Sequence, residues 1–304
     1  MSAEKIWEEV TPGQLYESGR EKLEKAGVPD AALDARLLLL ELFDMNFASF
    51  LTRQDQPFLR QVHGTAEIEQ FRQAADRYET AIQARAARIP LQHLTGCQCF
   101  MGLEFKVNEN VLIPRQDTET LVEQVLKECT DPDSSILDVC TGSGCIAVSL
   151  AKLGGYRSVT AVDISEEALK VAEENRNRIL GENRERLRLI KSDMLEGLKR
   201  DERFDVIVSN PPYIPSKVIE ELEPEVRDHE PRLALDGEED GLKFYRILAN
   251  SCMSHLKSGG VVCMEIGFDQ GRDVSELFLK AGFEGLQVIK DMAGLDRVVR
   301  AKRP

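Results

Sequence analysis

ILDVCTGSGCIAVSLA, residues 136–151, passes from a run of apolar residues through two glycines into a helical pattern. Gly142 and Gly144 allow the backbone to turn sharply and to approach a ligand closely. A helix that begins near Gly144 presents free N–H groups and the positive end of its dipole to that turn. Because open α/β sheets bind ligands at the carboxyl ends of their strands, the stretch predicts a site for pyrophosphate or a carboxylate. The spacing of the glycines also fits the fingerprint of dinucleotide-binding proteins. A tight strand–helix turn that binds no ligand is a further alternative.

Strands and helices continue to alternate from this stretch toward the C terminus. Strands are predicted at SILDVC, SVTAVDI, LRLIKSD, FDVIVSN, GVVCMEIG, GLQVIKD and RVVRAKR. Helices are predicted at residues 144–153, 165–180, 237–255 and 269–281. Apolar strands with helical crossovers indicate a parallel sheet that is covered on both faces. MAGLD, between the last two strands, is too short for a crossover, so that pair is predicted to be an antiparallel hairpin. The predicted fold class is α/β, with a seven-stranded, mostly parallel sheet.

The part of the chain before this sheet has a different pattern. Residues 1–88 show helical periodicity and no strand signal, which predicts a small helical bundle. The Thr11–Pro12 pair matches the cap and first turn of its first helix. Within residues 89–116, FKVNENVLIP predicts a β-hairpin that turns at Asn108–Asn110, and we treat this segment as a connector. Residues 117–304 are then the sheet domain.

The second and third strands of the predicted sheet end in carboxylates. Asp163 stands twenty-one residues after Gly142 and could accept hydrogen bonds from both hydroxyls of a ribose. It could instead cap the helix that begins near Ser165, although Ser165 can do this itself. Asp193 follows the third strand, where it could accept a hydrogen bond from an adenine amine, and Met194 could pack on the ring. This edge of the sheet is therefore expected to hold a nucleoside.

The fourth strand ends in Asn210, Pro211, Pro212 and Tyr213. The nitrogen of an amide or an aromatic amine is a poor nucleophile because its lone pair is delocalised. Asn210 Oδ1 and the carbonyl of Pro211 could grip both N–H bonds and localise that lone pair, while the prolines keep the backbone rigid. Tyr213 would give a flat wall for a planar group. The motif predicts an enzyme that transfers a methyl group to such a nitrogen, mainly by holding the nitrogen in position. The alternative is that Asn-Pro-Pro only ends the strand and forms a loop with no catalytic role.

Charge and cysteine content narrow the classes of partner. The 304-residue chain has a formal net charge of −14, whereas a protein that binds nucleic acid usually shows a basic face. The acidic tract, residues 217–241, holds ten acidic and three basic side chains, although such runs are usually solvated. Seven cysteines without a CxxC pair predict a reduced, cytoplasmic protein without a metal. No signal-peptide pattern and no membrane-spanning run is found.

The motifs together resemble one family. DVCTGSGCIA, VDIS, SD and SNPPYI are similar to amino-methyltransferases that use S-adenosylmethionine, and the predicted sheet has the topology of class I methyltransferases. ARAARIPLQHLTGCQCFMGLEFKVNENVLIPRQDTETLVE and EVRDHEPRLALDGEEDGLKFYRIL resemble the release-factor glutamine methyltransferases (HemK/PrmC type). In that family the substrate is the glutamine in the Gly-Gly-Gln motif of class I peptide chain release factors, and a helical domain helps to hold the factor. The resemblance implies a cytoplasmic enzyme with S-adenosylmethionine as cofactor and no direct contact with nucleic acid or membrane.

The resemblance also implies roles for individual positions. The implied cofactor-binding residues are Thr141, Gly142, Ser143, Gly144, Asp163, Asp193, Met194 and Asn210. The implied substrate-binding residues are Asn210, Pro211, Pro212 and Tyr213, of which Asn210, Pro211 and Tyr213 would be catalytic. Phe100 is a further candidate for the pocket wall, and a core position in the hairpin is an equally good expectation for it. Two positions depart from the family pattern: Met194 stands where an aromatic residue is frequent, and Gln116 where proline is usual.

Three other functions share part of the pattern. An adenine-amine DNA methyltransferase has the same Asn-Pro-Pro-Tyr motif, but base flipping needs a cationic strand-binding surface, which the acidic tract opposes. A nicotinamide oxidoreductase fits the glycine loop, yet no histidine or tyrosine motif for hydride transfer stands at a strand end. A binding module without catalysis would have no need of Asn210.

Overall fold

The structure, a computed structural model, describes residues 10–58 and 64–304. The chain divides into two units, Met1–Gly96 and Cys97–Pro304, which are described separately below. This division falls inside the connector predicted for residues 89–116. The limits and roles of the domains predicted from the sequence stay predictions.

The described part of the first unit is helical. Its helices are α1 Pro12–Lys25, α2 Ala31–Leu42, α3 Phe47–Arg53, α4 Thr65–Ala86 and α5 Leu91–Thr95. The predicted Thr11 cap is confirmed, and Thr11 forms a reciprocal capping box with Gln14 at the start of α1. Leu23, Leu38 and Ile82 are fully buried where α1, α2 and α4 pack together. The spacing of these apolar residues on each helix is what produces this core.

The β-hairpin lies earlier in the chain than predicted. β1 (Cys97–Phe100) pairs antiparallel with β2 (Leu103–Lys106), so the turn is Met101–Gly102. Both turn residues have positive φ, 52° and 71°, as a two-residue type I′ turn requires. The predicted turn at Asn108–Asn110 does exist, with Asn108 Oδ1 accepting the Asn110 N–H at 3.0 Å. No strand follows it before residue 135 in this described stretch, so the prediction of a hairpin there is wrong.

The sheet of the second unit confirms the predicted fold class. Its strands are β3 Ser135–Val139, β4 Ser158–Asp163, β5 Leu187–Lys191, β6 Phe204–Ser209, β7 Leu256–Glu265, β8 Glu284–Lys290 and β9 Asp296–Lys302. They form one seven-stranded sheet in the order β5-β4-β3-β6-β7-β9-β8. The strands from β3 to β7 are parallel, and β9 lies antiparallel between β7 and β8. The α/β fold with a mostly parallel sheet and a terminal antiparallel hairpin is therefore confirmed.

Helices cover both faces of this sheet. They are α6 Glu119–Glu128, α7 Cys145–Leu153, α8 Glu166–Leu180, α9 Ser216–Ile219, α10 Pro224–His229, α11 Arg232–Leu235, α12 Lys243–His255 and α13 Gly271–Lys280. One core cluster packs α6, α7 and α8 on the sheet, and a second packs α12 and α13 on it. Val206 and Ile207 of β6 belong to different clusters, because successive side chains of a strand point to opposite faces. The helix predicted from residue 237 begins only at Lys243.

The register of the parallel strands sets the position of the functional residues. Val139 of β3 pairs with Val162 of β4 and with Ser209 of β6. The three carboxyl ends therefore lie side by side, and the residues that follow them meet at one edge of the sheet. This is the edge at which the sequence places its candidate site.

Candidate functional site

A cavity of about 280 Å³ opens at this edge of the sheet. Its wall includes the glycine loop after β3, the end of β4, the loop after β5 and the Asn-Pro-Pro motif after β6. Of the site residues predicted from the sequence, the lining includes Thr141, Gly142, Ser143, Asp163, Asp193, Met194, Asn210 and Pro212. Residues from four separate strand ends are thus brought together, as the parallel topology requires.

The glycine loop is held by side chains beneath it. Gly142 and Gly144 have φ of 54° and 78°, a conformation that glycine adopts without steric cost. Thr141 Oγ1 donates to Asp138 Oδ2 at 2.6 Å, and burial raises the pKa of Asp138 to about 7. A Cβ at Gly144 would lie 3.1 Å from the Cβ of Ala172, so glycine lets the start of α7 approach α8 closely. Gly144 caps α7 and is not part of the cavity lining.

Asp163 connects the glycine loop to β4. Its Oδ2 accepts the N–H of Gly142 at 2.8 Å, and its Oδ1 accepts the N–H of Ser165 at 2.9 Å. Desolvation raises the pKa of Asp163, and the backbone hydrogen bonds oppose that rise. The cap of α8 is Ser165, whose Oγ accepts from Ala168 N at 3.1 Å. Asp163 is therefore not the helix cap, and each oxygen keeps a second lone pair for a ligand.

Asp193 and Met194 form the wall beside Asp163. Met194 is buried with a φ of 48°, and Ser192 Oγ donates to its carbonyl at 2.8 Å. The sulfur atoms of Cys140 and Met194 are 3.8 Å apart. Sulfur-containing side chains are polarisable and adaptable, so this part of the wall is suited to a flat apolar group such as a purine.

The Asn-Pro-Pro-Tyr motif contributes unequally to the cavity. Asn210 and Pro212 line it, whereas Pro211 is buried and Tyr213 stands outside the lining. Asn210 Nδ2 donates to Thr118 Oγ1 at 3.4 Å. The hydroxyl of Tyr213 donates to Glu265 Oε1 at 3.2 Å, a contact with the end of β7.

Phe100 does not reach the cavity. Its side chain is fully buried in the core cluster on the α6–α7 face, and its ring packs edge-on against Phe105 with centroids 6.0 Å apart. An aromatic side chain that is completely enclosed by a hairpin and a helix has no surface left for a ligand. Of the two expectations for Phe100, the structure supports the core position.

Several lining residues were not predicted from the sequence. They are Asn110, Arg115, Thr118, Pro231, Leu233, Lys243 and Phe244, together with their neighbours. Arg115 Nη2 lies 2.6 Å from Oε1 of Glu230, a carboxyl whose pKa is raised by burial and lowered again by Arg115. The stretches PRQDTE and DHEP carry these residues, but nothing in their local pattern shows that residues 115 and 230 meet. The only available signal was the likeness of both stretches to one family.

The acidic tract is a structured part of the cavity wall. Pro231, Leu233 and Ala234 line the cavity, and the tract contains α10, α11 and most of α9. Several of its carboxylates are paired, as Arg232 shows with Glu220 at 2.9 Å and with Asp236 at 3.2 Å. The tract therefore borders the cavity and is more than a solvated loop.

Within residues 10–58 and 64–304, no helix is long and apolar enough to cross a membrane. The same ranges hold no cluster of three or more His, Cys, Asp or Glu side chains arranged for a metal ion.

Comparisons with known proteins match both units of the chain. Residues 14–96 match the family model "PrmC N-terminal domain", and residues 116–224 match "Methyltransferase small domain". The release factor glutamine methyltransferase of Moorella thermoacetica is 45% identical, over 93% of this chain and 95% of the relative. That of Geobacter sulfurreducens is 39% identical, over 97% of this chain and 96% of the relative. A solved structure of a release factor-specific protein-(glutamine-N5) methyltransferase from Alicyclobacillus acidocaldarius is 32% identical, covers 66% of this chain and 99% of that chain, and has a TM-score of 0.39.

Proposed function

Because this chain belongs to the release factor glutamine methyltransferase family, we propose that it methylates class I peptide chain release factors. The methyl group comes from S-adenosylmethionine, and the acceptor is the side-chain amide nitrogen of the glutamine in the Gly-Gly-Gln motif. The observation that carries the proposal is a single cavity lined by the glycine loop, two strand-end carboxylates and Asn210. The reaction is proposed to take place in the cytoplasm, with the release factor as partner and without direct contact with nucleic acid or membrane.

The residues of the cavity fit the proposed cofactor. Gly142 has open space where a Cβ would lie, so the glycine loop offers a cradle for the amino-acid part. The free lone pairs of Asp163 suit the ribose hydroxyls. Asp193 can accept from the adenine amine, and Met194 can pack against the ring. When bound, S-adenosylmethionine supplies a methyl group activated by a sulfonium centre.

The acceptor nitrogen would be held by the Asn-Pro-Pro motif. Thr118 engages Asn210 Nδ2, so Oδ1 of Asn210 is the atom that can accept an N–H of the substrate amide. The carbonyl of Pro211 would accept the other N–H. Proline has no N–H of its own, so no backbone donor at residues 211 and 212 competes with the substrate. Catalysis then consists mainly of holding the nitrogen in line with the methyl group.

An adenine-amine DNA methyltransferase is the alternative with the same motif. It would need cationic contacts to the strand that carries the base. Here the cavity wall includes the exposed Leu233 of the acidic tract, which carries ten acidic and three basic side chains. The net negative charge of this tract disfavours a polyanionic substrate.

Methyl transfer from labelled S-adenosylmethionine distinguishes the two substrates. We expect label in a purified class I release factor, with a mass increase of one methyl group on the glutamine of its Gly-Gly-Gln peptide. Duplex DNA is expected to stay unlabelled under the same conditions. Label in DNA and none in the factor would contradict the proposal, and so would a methyl group on any other residue of the factor.

A further inference from the structure

We propose that Asn175 of α8 is a positioning residue for the cofactor, because its side chain holds two walls of the cavity together. One wall is the glycine loop, and the other is formed by residues 106–115, here called the wall segment. The inference rests on the proposed function, since it concerns the site for S-adenosylmethionine. Asn175 is fully buried, does not line the cavity and belongs to none of the motifs recognised in the sequence.

The side-chain amide of Asn175 makes three hydrogen bonds. Its Oδ1 accepts the backbone N–H of Lys106 at 2.7 Å, and its Nδ2 donates to the carbonyl of the same residue at 2.9 Å. Nδ2 also donates to the carbonyl of Ser143 in the glycine loop at 2.9 Å. An amide nitrogen carries two N–H donors, so both are in use. One buried side chain therefore connects the end of β2 with the glycine loop.

The wall segment depends on α8 for its position. Residues 107–115 contain no helix or strand that could hold them in place. Ala168, Val171 and Asn175 stand at positions i, i+3 and i+7 of α8, so they share one face of the helix. Val107 and Val111 of the wall segment form a small buried cluster with Ala168 and Val171. The residues of the wall segment that line the cavity are Asn110, Val111, Leu112, Pro114 and Arg115.

The other end of the link lies in the glycine loop itself. Ser143 is 2% exposed and lines the cavity between Gly142 and Gly144. Its carbonyl has a partner in Asn175, and a buried carbonyl that loses its partner is costly. Removal of the Asn175 amide therefore disfavours the present conformation of the loop and releases the wall segment from α8 in the same step.

The consequence for the cofactor follows from the cost of ordering a site. A site whose walls are already in place binds more tightly than one that its ligand must order. In the wild-type chain, the amide of Asn175 supplies this order before the ligand arrives. Without the amide, the glycine loop and the wall segment are no longer attached to each other, and binding must order both.

The test measures the affinity for S-adenosylhomocysteine by titration calorimetry. Asn175→Leu removes the amide and keeps a similar size, and we expect the dissociation constant to rise about tenfold. Val107→Ala loosens the wall segment from α8 without changing the cavity lining, and it should raise the dissociation constant about threefold. Val274→Ala makes the same exchange at a fully buried valine of α13, in the core cluster on the other face of the sheet. Its affinity should equal that of wild type.

Hydrogen exchange separates positioning from a general loss of stability. Without ligand, the backbone amides of residues 106–112 should exchange faster in Asn175→Leu than in wild type, and bound S-adenosylhomocysteine should remove most of this difference. A general loss of stability would instead speed exchange throughout the sheet and leave the affinity of the folded molecules unchanged.

Wild-type affinity in both Asn175→Leu and Val107→Ala would overturn the inference, and so would an equal loss of affinity in Val274→Ala. Val107→Ala is a small truncation, so it tests the inference even where Asn175→Leu does not fold. The proposed function fails separately. A wild-type chain that binds S-adenosylhomocysteine but leaves the Gly-Gly-Gln glutamine unmethylated would contradict that function alone, whereas a wild-type chain that binds no S-adenosylhomocysteine would overturn both.

Discussion

The carboxylate of Asp163 has two tasks at the level of single residues. It closes the glycine loop through Gly142 and steers the chain into α8 through Ser165. Each oxygen accepts one of these two N–H groups and keeps a second lone pair with which it could accept from a ribose hydroxyl. Removal of this side chain should therefore weaken ligand binding directly, and also indirectly through the conformation of the glycine loop.

Asp163→Ala should weaken binding of S-adenosylmethionine by about 1–3 kcal/mol, the cost of a lost charged hydrogen-bond acceptor. Titration calorimetry measures this change. Asp205→Ala is a matched control, because Asp205 also accepts a backbone N–H, from Ser135 at 2.7 Å. Asp205 lies near the amino end of β6, whereas the cavity is at the carboxyl end of that strand. Its loss should lower stability and leave cofactor affinity intact. Equal affinity in Asp163→Ala and wild type would refute the ribose assignment.

Glu265 should also make the stability of the protein depend on pH. Burial raises the pKa of Glu265 from 4.5 to about 7, so the folded state holds a proton that the unfolded chain releases. This stabilisation is complete below the unfolded pKa and is lost as the pH rises through about 7. Between about pH 5 and pH 8 the free energy of unfolding should fall by about 2 kcal/mol from this group.

Urea unfolding at both ends of this pH range checks the prediction for Glu265. Glu265→Gln imitates the protonated form, so its free energy of unfolding should fall less than that of wild type. Asp138, whose pKa is also raised to about 7, acts in the same direction and is unchanged in the variant. A pH dependence equal to that of wild type would show that Glu265 does not titrate in this range.

Sequence position predicted the residues that follow strand ends but not their partners. Asp163, Asp193 and Asn210 could be named because each stands directly after an apolar run, and parallel strands bring such ends together. Thr118 is 92 positions from its partner Asn210, and Glu265 is 52 positions from its partner Tyr213, so only tertiary packing brings each pair together. The hydrogen bond between Tyr213 and Glu265 has no local signature in the sequence. The sequence alone therefore places Tyr213 in the cavity wall.

At the level of elements, the predictions of caps and turns were correct where the residues are typical of those positions and wrong where they are not. Thr11 and Ser165 are common cap residues, and both were recognised as possible caps from the sequence. The hairpin was misplaced because type I′ turns favour asparagine and glycine, whereas the first turn position here is Met101. The Asn-Glu-Asn stretch had the composition of a turn but no partner strand after it.

The glycine loop gives a prediction that separates backbone conformation from close packing. Gly142→Ala should cost about 1–2 kcal/mol, since alanine is strained at positive φ but finds open space there. Gly144→Ala has the same strain and also places a Cβ 3.1 Å from that of Ala172. Its cost should be larger by about 1 kcal/mol or more, because an overpacked contact between α7 and α8 must be relieved.

Urea unfolding of the ligand-free variants measures both costs. The two substitutions are chemically identical and lie two positions apart, so each is the control for the other. We expect Gly144→Ala to be the less stable variant. The reverse order would mean that packing of α7 on α8 does not constrain the loop.

At the level of the whole molecule, the sequence predicted the class of the sheet but not its strand order. MAGLD is too short for a crossover, which settled that β8 and β9 are antiparallel. β9 lies between β7 and β8 because its residues, among them Val298 and Val299, pair with β7. No local sequence pattern shows this pairing. The sequence shows the acidic tract as a run of charged residues. Its contribution to the cavity wall is visible only in the folded structure.

The helical part of the chain should matter for the protein substrate and not for the cofactor. Residues 97–304 hold the described cavity and both core clusters of the sheet. A variant without residues 1–96 should therefore bind S-adenosylhomocysteine with an affinity close to that of wild type. Its kcat/KM for the intact release factor should fall by about tenfold or more, as expected when part of a contact surface is removed.

Calorimetry and steady-state kinetics on the shortened chain distinguish the two effects. A short Gly-Gly-Gln peptide is the control substrate, because it should lose little between the two proteins. Equal loss of cofactor affinity and of factor methylation would show that residues 1–96 are structural and do not recognise the factor.

In the proposed mechanism, Asn210 holds the acceptor nitrogen and contributes little to cofactor binding. The most direct measurement is the single-turnover rate of methyl transfer to a class I release factor by Asn210→Ala, with the enzyme saturated in S-adenosylmethionine. We expect a rate lower by about 10²–10³-fold, the usual effect of removing one polar contact to a reacting group, with cofactor affinity nearly unchanged. A rate equal to that of wild type would contradict it.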